Sequence, residues 1–165
     1  MRKIKAFTLI ELLVVVAIIG ILAAVGTPIF QGFMLDAKIN ASIAKHQNIR
    51  DFISANLTRC SFGAQDLKLQ SYYGQRSVSC SDTPQQLATA FAQHFKYTNM
   101  ENPYGEGSGD AVRGNTTDEC LWPGDTTIWG SPTNWGPGEH VRVTTRIEKA
   151  DNCTDGREQT YIKIE

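Results

Sequence analysis

The chain has 165 residues, with 16 Lys and Arg against 17 Asp and Glu and a formal net charge of −1. That length suits one domain of ordinary size, and the near-neutral balance excludes broad nucleic-acid binding, which rests on a basic surface that releases counterions. The charge is unevenly placed: Arg2, Lys3 and Lys5 precede any acid, and removing them from the 16 basic side chains leaves 13 against 17 acidic ones.

Phe7 to Phe30 is an apolar run with Glu11 as its single charge. As a helix it measures about 36 Å, enough to cross a hydrocarbon core of about 30 Å. The basic residues ahead of it predict a cytoplasmic N-terminus and an exported body. A cleaved signal peptide shares this basic start, and the small residues of LAAVGTP mimic a cleavage site. Against that reading, the run exceeds the usual apolar region of about 7–15 residues, and a charge inside it is foreign to such a segment. An acid at the centre of a membrane helix costs about 2.5–3.5 kcal/mol, less near its edge, so a retained one points to a function with a partner. Thr8 is placed either to cap the helix start or simply to be tolerated there. Gly20 and Pro28 interrupt the run, with Gly26 and Thr27 beside the proline. Proline removes a backbone donor and clashes with the preceding turn, which predicts a kink or local melting.

The stretch KAFTLIELLVVVAIIGILAAVGTPIF resembles the N-terminus of type IV pilins and type II secretion pseudopilins. Their pattern is a short basic leader, a small residue, then Phe-Thr-Leu-Ile-Glu and an apolar helix. The resemblance implies a leader, residues 1–6, that a prepilin peptidase removes between Ala6 and Phe7 at the cytoplasmic face. The Phe7 amine is then N-methylated. Ala6 stands where the family usually has Gly. In the family the equivalent of Glu11 pairs with the N-terminal amine of a neighbouring subunit, which carries over to Glu11 and Phe7. Two opposite charges in a low dielectric attract strongly and offset each other's desolvation. Gly20 and Pro28 match a segment that bends in the subunit and unwinds in the filament.

The function implied is a structural subunit of a type IV pilus that polymerises through its N-terminal helix. A type II secretion pseudopilin or a minor pilin is the alternative within the family. A membrane-anchored exported binding domain that never polymerises is the alternative outside it. The partners implied are further copies in a filament, the prepilin peptidase, an inner-membrane assembly platform, and lipid before assembly. No cofactor is implied. The chain would cross the inner membrane once and later reside in an extracellular pilus.

After the membrane segment, 7–29, apolar residues recur at helical spacing. Phe30, Phe33, Met34, Ala37, Ala41 and Ala44 form one row. Leu35, Ile39, Ile43, Ile49, Phe52, Ile53 and Leu57 form another, with Asp36, Lys38, Asn40, Lys45, His46 and Arg50 between. This is an amphipathic helix over 30–57, one face suited to a globular head and the other to neighbouring subunits. The head, 58–165, begins with a turn and short strand around SYYGQRSVSCSD. DTPQQLATAFAQHF reads as a helix capped by Asp82 or Thr83, with Pro84 in its first turn and Leu87, Ala90, Phe91 and Phe95 facing the core. Residues 99–138 are dense in Gly, Pro, Asn and Asp and read as loop. HVRVTTRIE and QTYIKIE alternate and read as two strands. The fold class is therefore α+β: a long N-terminal helix packed on a small antiparallel sheet, in agreement with the lollipop of the resembled family.

Cys60, Cys80, Cys120 and Cys153 lack the close spacing of a zinc site. Behind an export segment they read as disulfides. Neighbour pairing, Cys60–Cys80 and Cys120–Cys153, is favoured, and the other pairings stay open. Trp122, Trp129 and Trp135 recur in the loop-like region and are expected to pin it to the body by burying large apolar area. Asp151, Asn152 and Asp155 precede Gly156 and offer oxygen ligands to calcium, but they fit no EF-hand and also suit an ordinary turn. Three Asn-X-Thr patterns begin at Asn56, Asn115 and Asn152, and with a prokaryotic-looking export system chance explains them. His46, His94 and His140 are scattered, and no HExxH, GxSxG, P-loop or GxGxxG pattern occurs. Nothing in the sequence supports an enzyme.

Overall fold

Helix α1, Leu9–Ser61, dominates the computed structural model, in which the described residues are 7–105, 111–114, 121–131, 139–148 and 155–164. The chain divides into two compact units, Met1–Ala37 and Lys38–Glu165. In the first, α1 is apolar on every side and exposed throughout, from Leu9 and Ile10 to Phe30 and Phe33. A helix hydrophobic all round requires a non-aqueous environment or a partner. By length and composition α1 can cross a membrane.

The second unit follows α1 from Lys38 with β1 (Asp66–Ser71), β2 (Gly74–Ser79), α2 (Pro84–Tyr97), β3 (Val112–Gly114), β4 (Thr126–Ser131), β5 (His140–Arg146) and β6 (Arg157–Lys163). β1 and β2 form an antiparallel hairpin. The other four strands form a sheet in the order β3-β4-β5-β6. The β4–β5 and β5–β6 pairs are antiparallel, and β3 joins the edge parallel to β4. The architecture is α+β, as expected, with that one parallel pair added.

Between Ser42 and Leu57, α1 turns Ser42, Lys45, His46, Ile49, Ile53, Asn56 and Leu57 inward. The other row is exposed: Phe30, Phe33, Met34, Ala37, Ala41 and Ala44 all face out. Gly63, at φ +93°, ends the helix in the left-handed conformation that glycine adopts most readily, and its amide donates to Cys60 O at 2.9 Å. One turn earlier Cys60 is bonded to Cys80 across a sequence separation of 20, a loop whose closure stabilises by about 3 kcal/mol in the chain-entropy model.

α2 begins as the sequence predicts. Thr83 is the N-cap, its side chain and that of Gln86 reciprocally bond each other's backbone amides, and Pro84 opens the first turn. Leu87, Ala90, Phe91 and Phe95 are buried. They join Ile49 and Ile53 of α1, Leu67 and Leu69 of β1, and Ile128, Val141 and Val143 of the sheet in one core. α2 approaches the sheet closely through glycine: a Cβ built on Gly130 of β4 would lie 2.0 Å from the carbonyl carbon and oxygen of Pro84.

Two expectations need correction. The region 99–138 is not simply loop, for it holds β3 and the interior strand β4, whose residues are almost all buried. Ahead of β2 stands a second strand, β1, with Leu67 and Leu69 pointing inward.

Candidate functional site

The start of α1 is a closed local structure. Thr8 precedes the first helical residue, Leu9, which makes Glu11 the third residue of the helix. Glu11 Oε2 accepts from the Thr8 amide at 2.8 Å and from the Thr8 hydroxyl at 2.7 Å. In return the Glu11 amide donates to Thr8 Oγ1 at 3.3 Å. This is the reciprocal cap of a Thr-x-x-Glu start, which satisfies amides that have no partner within the helix. It settles the role of Thr8 and gives the acid a partner within its own chain. An acid in the first turn also faces the positive end of the helix dipole. Phe7 is 84% exposed beside it, and Phe7, Ile10, Glu11, Val14 and Val15 line one shallow apolar hollow. A carboxylate accepts about four hydrogen bonds, so Glu11 retains capacity for a cation. Ala6, the residue before the expected cut, lies outside the described residues.

α1 is helical through Gly20 and Pro28, with no residue there outside the helix. Next to the proline, the Thr27 hydroxyl donates to Ala23 O at 2.7 Å.

Sequence reasoning missed a polar cluster under α1. Lys45 and His46 stand among the polar residues between the apolar rows, yet both are buried. Lys45 Nζ donates to Ala111 O and Gly124 O, each at 2.9 Å. Burial pulls its pKa down to about 8, with the Asp125 charge pulling the other way. Asp125 in turn accepts from Asn102 Nδ2 and Arg113 Nη2, each at 2.8 Å, and burial pushes its carboxyl up against those partners. His46 sits 3.0 Å from Thr145 Oγ1 and 2.8 Å from Thr160 Oγ1, tying α1 to β5 and β6. Burial lowers its pKa, with Glu158 opposing. The available signal was positional: Ser42, Lys45, His46, Ile49 and Ile53 lie on one helical stripe. The cluster anchors backbone carbonyls and strands, which is structural work.

The remaining expected site residues disperse. Cys60 and Cys80 are paired as favoured, whereas Cys120 and Cys153 lie outside the described residues. So do Asp151 and Asn152 of the calcium reading and Trp135; Asp155 begins the short turn containing Gly156 at φ +66°. Among the described residues no group of three or more His, Cys, Asp or Glu could hold a metal ion. Trp129 is half-buried with the Arg142 guanidinium 4.9 Å from its ring centroid. Trp122 is 54% exposed, so the expected pinning does not hold for it. Asn56 is buried with its amide donating to Phe52 O, a poor acceptor for a glycan. His94 Nδ1 accepts from the Gln70 amide at 3.0 Å, and its ring stacks on Phe52 at 4.5 Å.

Comparison with known proteins finds one family motif at this N-terminus and several relatives matched over part of their length. Residues 1–27 match the Prokaryotic N-terminal methylation motif. The chain is 60% identical over 40 residues to Fimbrial protein EcpB of Eikenella corrodens, covering 24% of this chain and 25% of that protein. It is 42% identical over 52 residues to a Fimbrial protein of Moraxella nonliquefaciens, covering 32% and 34%. It is 51% identical over 39 residues to a Type IV major pilin protein PilE1 of Neisseria gonorrhoeae, covering 24% of each. The matched stretch thus spans about a quarter to a third of these relatives. No solved structure matches the chain significantly.

Proposed function

We propose, from the match of residues 1–27 to the Prokaryotic N-terminal methylation motif and the partial identity to fimbrial proteins and pilins, that the chain is a structural subunit of a type IV pilus. On this reading the protein does structural work rather than catalysis. In this reading the prepilin peptidase cuts between Ala6 and Phe7, Phe7 is N-methylated, and the subunit waits in the inner membrane with its head exported. Assembly then transfers the helix from lipid into the filament, where Glu11 meets the Phe7 amine of a neighbouring copy.

The observation that carries this reading is the placement of Glu11. The cap holds its carboxylate in the first turn, beside Phe7, at the head of a helix exposed and apolar on every side. Such a helix gains by exchanging lipid for packed neighbours. An apolar surface alone slides, and a single fixed charge near its end selects one register.

The test uses the mature N-terminus and two variants in the native host. Mass spectrometry is expected to find N-methylated Phe7 as the first residue; a start after Ala24, or an uncut Met1, refutes processing. Glu11→Gln retains a side chain able to cap while removing the charge, and it is expected to be cleaved and membrane-inserted but to yield no filaments. Thr8→Ala loses the cap and keeps the charge, and it is expected to assemble. Wild-type filament yield from Glu11→Gln refutes the pairing, and loss of filaments in Thr8→Ala alone assigns the role to the cap instead.

A further inference from the structure

The turn of the β1–β2 hairpin is Ser71-Tyr72-Tyr73-Gly74, and it displays two large aromatic side chains to solvent. Tyr72 is 73% exposed and Tyr73 is 94% exposed. The turn itself needs neither. Gly74 supplies the left-handed residue at φ +99°, and the Ser71 hydroxyl donates to Gly74 O at 2.9 Å. Neither tyrosine has a positive φ, so the positions between are ones that most residues can fill. Two tyrosines there bury little and stabilise nothing in the core.

They are nonetheless ordered with respect to one another and to α2. The Tyr72 ring lies 4.9 Å from that of Tyr73, at an interplanar angle of 89°. On its other side it lies 6.0 Å from Tyr97, the last residue of α2. The Lys96 ammonium stands 5.9 Å from the Tyr97 ring centroid. Gln70 and Gln75 pair across the hairpin one step below the turn and flank it with side-chain amides. The result is a row of three phenol rings meeting edge to face, with Tyr72 and Tyr73 largely open to solvent and the paired Gln70 and Gln75 next to the turn.

From this surface we infer that the hairpin tip is a glycan-binding platform, taking pyranose rings on Tyr72 and Tyr73 with Tyr97 as their support. A pyranose presents one face of C–H groups and a rim of hydroxyls. An aromatic face covers the first, and phenol and amide groups bond the second. Braced rings with two rotatable bonds each lose little entropy on binding. A second copy of the chain fits less well, because three side chains fall far short of the ~800 Å² per partner of a stable interface. Single-stranded nucleic acid also stacks on aromatics, but it depends on a basic groove. Here the chain beyond Lys5 carries 13 of the 16 basic side chains against 17 acidic ones, and that field repels a polyphosphate.

The experiment presents the full chain, in a sugar-free zwitterionic detergent, to immobilised oligosaccharides of glucose, galactose, N-acetylglucosamine and sialyl-lactose, with a polythymidine oligonucleotide on the same surface. Retention on at least one oligosaccharide is expected. The double variant Tyr72→Ala/Tyr73→Ala should lose about tenfold or more in affinity, and Tyr72→Phe/Tyr73→Phe should stay within about threefold, because stacking needs the ring. Both side chains are exposed, so the thermal unfolding midpoint of the alanine variant is expected to match the wild type. Absence of retention on every oligosaccharide, equal retention by the alanine variant, or retention on the oligonucleotide alone would each overturn the inference. So would an alanine variant that differs only in self-association by size-exclusion chromatography.

Discussion

Lys45→Met probes the buried cluster that holds α1 to the head. Lys45 Nζ donates to two carbonyls. Ala111 O also accepts from the Thr126 amide at 3.0 Å, so it keeps a partner when Lys45 goes. Gly124 O loses its bond from Nζ. An orphaned buried acceptor costs about 1–3 kcal/mol, and the weakened second bond adds about 1. Against this stands the burden of burying a charged amine. Lowering the pKa from 10.5 to about 8 corresponds to about 3 kcal/mol against the charged form. The two nearly cancel, so at pH 7 the variant is expected within about 1 kcal/mol of the wild type. The sign then changes the comparison with pH. Between about 8 and 10.5 the unfolded chain holds a proton that the folded chain has released, so wild-type stability rises with pH. The neutral amine has two N–H groups for its two carbonyls, so each carbonyl keeps a donor on deprotonation. The methionine variant lacks this titration. Its deficit should widen by about 2.5 kcal/mol from pH 7 to pH 10. Urea unfolding of the full chain in detergent, followed by circular dichroism at each pH, measures the difference. Parallel pH profiles for the two proteins would refute the burial of this amine in the folded state.

At the acid end His46 acts in the same sense as Lys45, with stability again rising with pH. Burial holds its folded pKa below the ordinary 6.5, so its stability contribution is present above about pH 6.5 and is lost as pH falls through that value. His46→Gln is expected to flatten the decline in melting temperature between pH 7 and 5, only partly, because burial lowers His94 in the same direction. Gly130→Ala drives a Cβ into the Pro84 carbonyl, 2.0 Å away. Because a backbone must move, this variant should lose about 3 kcal/mol in chemical denaturation, and wild-type stability would refute the close approach of α2 to β4.

How legible each element was follows from where its information lies. β5 and β6 could be read because HVRVTTR and QTYIK alternate in strand-forming residues. α2 was readable from its cap and its stripe. β4 was not, because TTIWGS sits among glycines and prolines that signal loop. What makes it a strand is pairing: β5 on one side, β3 on the other, and α2 seated on Gly130. β1 carried a signal that was passed over, the alternation of Leu67 and Leu69. Lys45 and His46 were on the correct stripe but of the wrong type. Their partners lie between 66 and 114 residues away in sequence, beyond the reach of any local pattern. At the N-terminus the reverse holds. The cap joins residues three apart, and its pattern is plain in Thr8 and Glu11.

That cap sharpens the question of the charge, because the chain makes the same cap twice with different chemistry. At α2 the Thr83 amide and hydroxyl donate to Gln86 Oε1 at 2.9 and 3.0 Å, and the Gln86 amide returns to Thr83 Oγ1 at 3.4 Å. At α1 the same three bonds are made by Thr8 and Glu11 at 2.8, 2.7 and 3.3 Å. A neutral amide is therefore sufficient for this geometry. In a setting poor in water an amide is also the cheaper choice, since an ionised carboxylate carries the larger desolvation penalty. The solvated α2 has the neutral residue and the apolar α1 has the charged one, the reverse of what capping alone would select. The extra charge at Glu11 thus answers to something beyond the cap's hydrogen bonds, with the positive end of the helix dipole supplying part of it. A cation brought from outside the subunit's own helix would satisfy that requirement, and in the function proposed above that cation is the Phe7 amine of a second copy. This is why Glu11→Gln, which leaves the cap its acceptor, isolates the charge more cleanly than truncation to alanine.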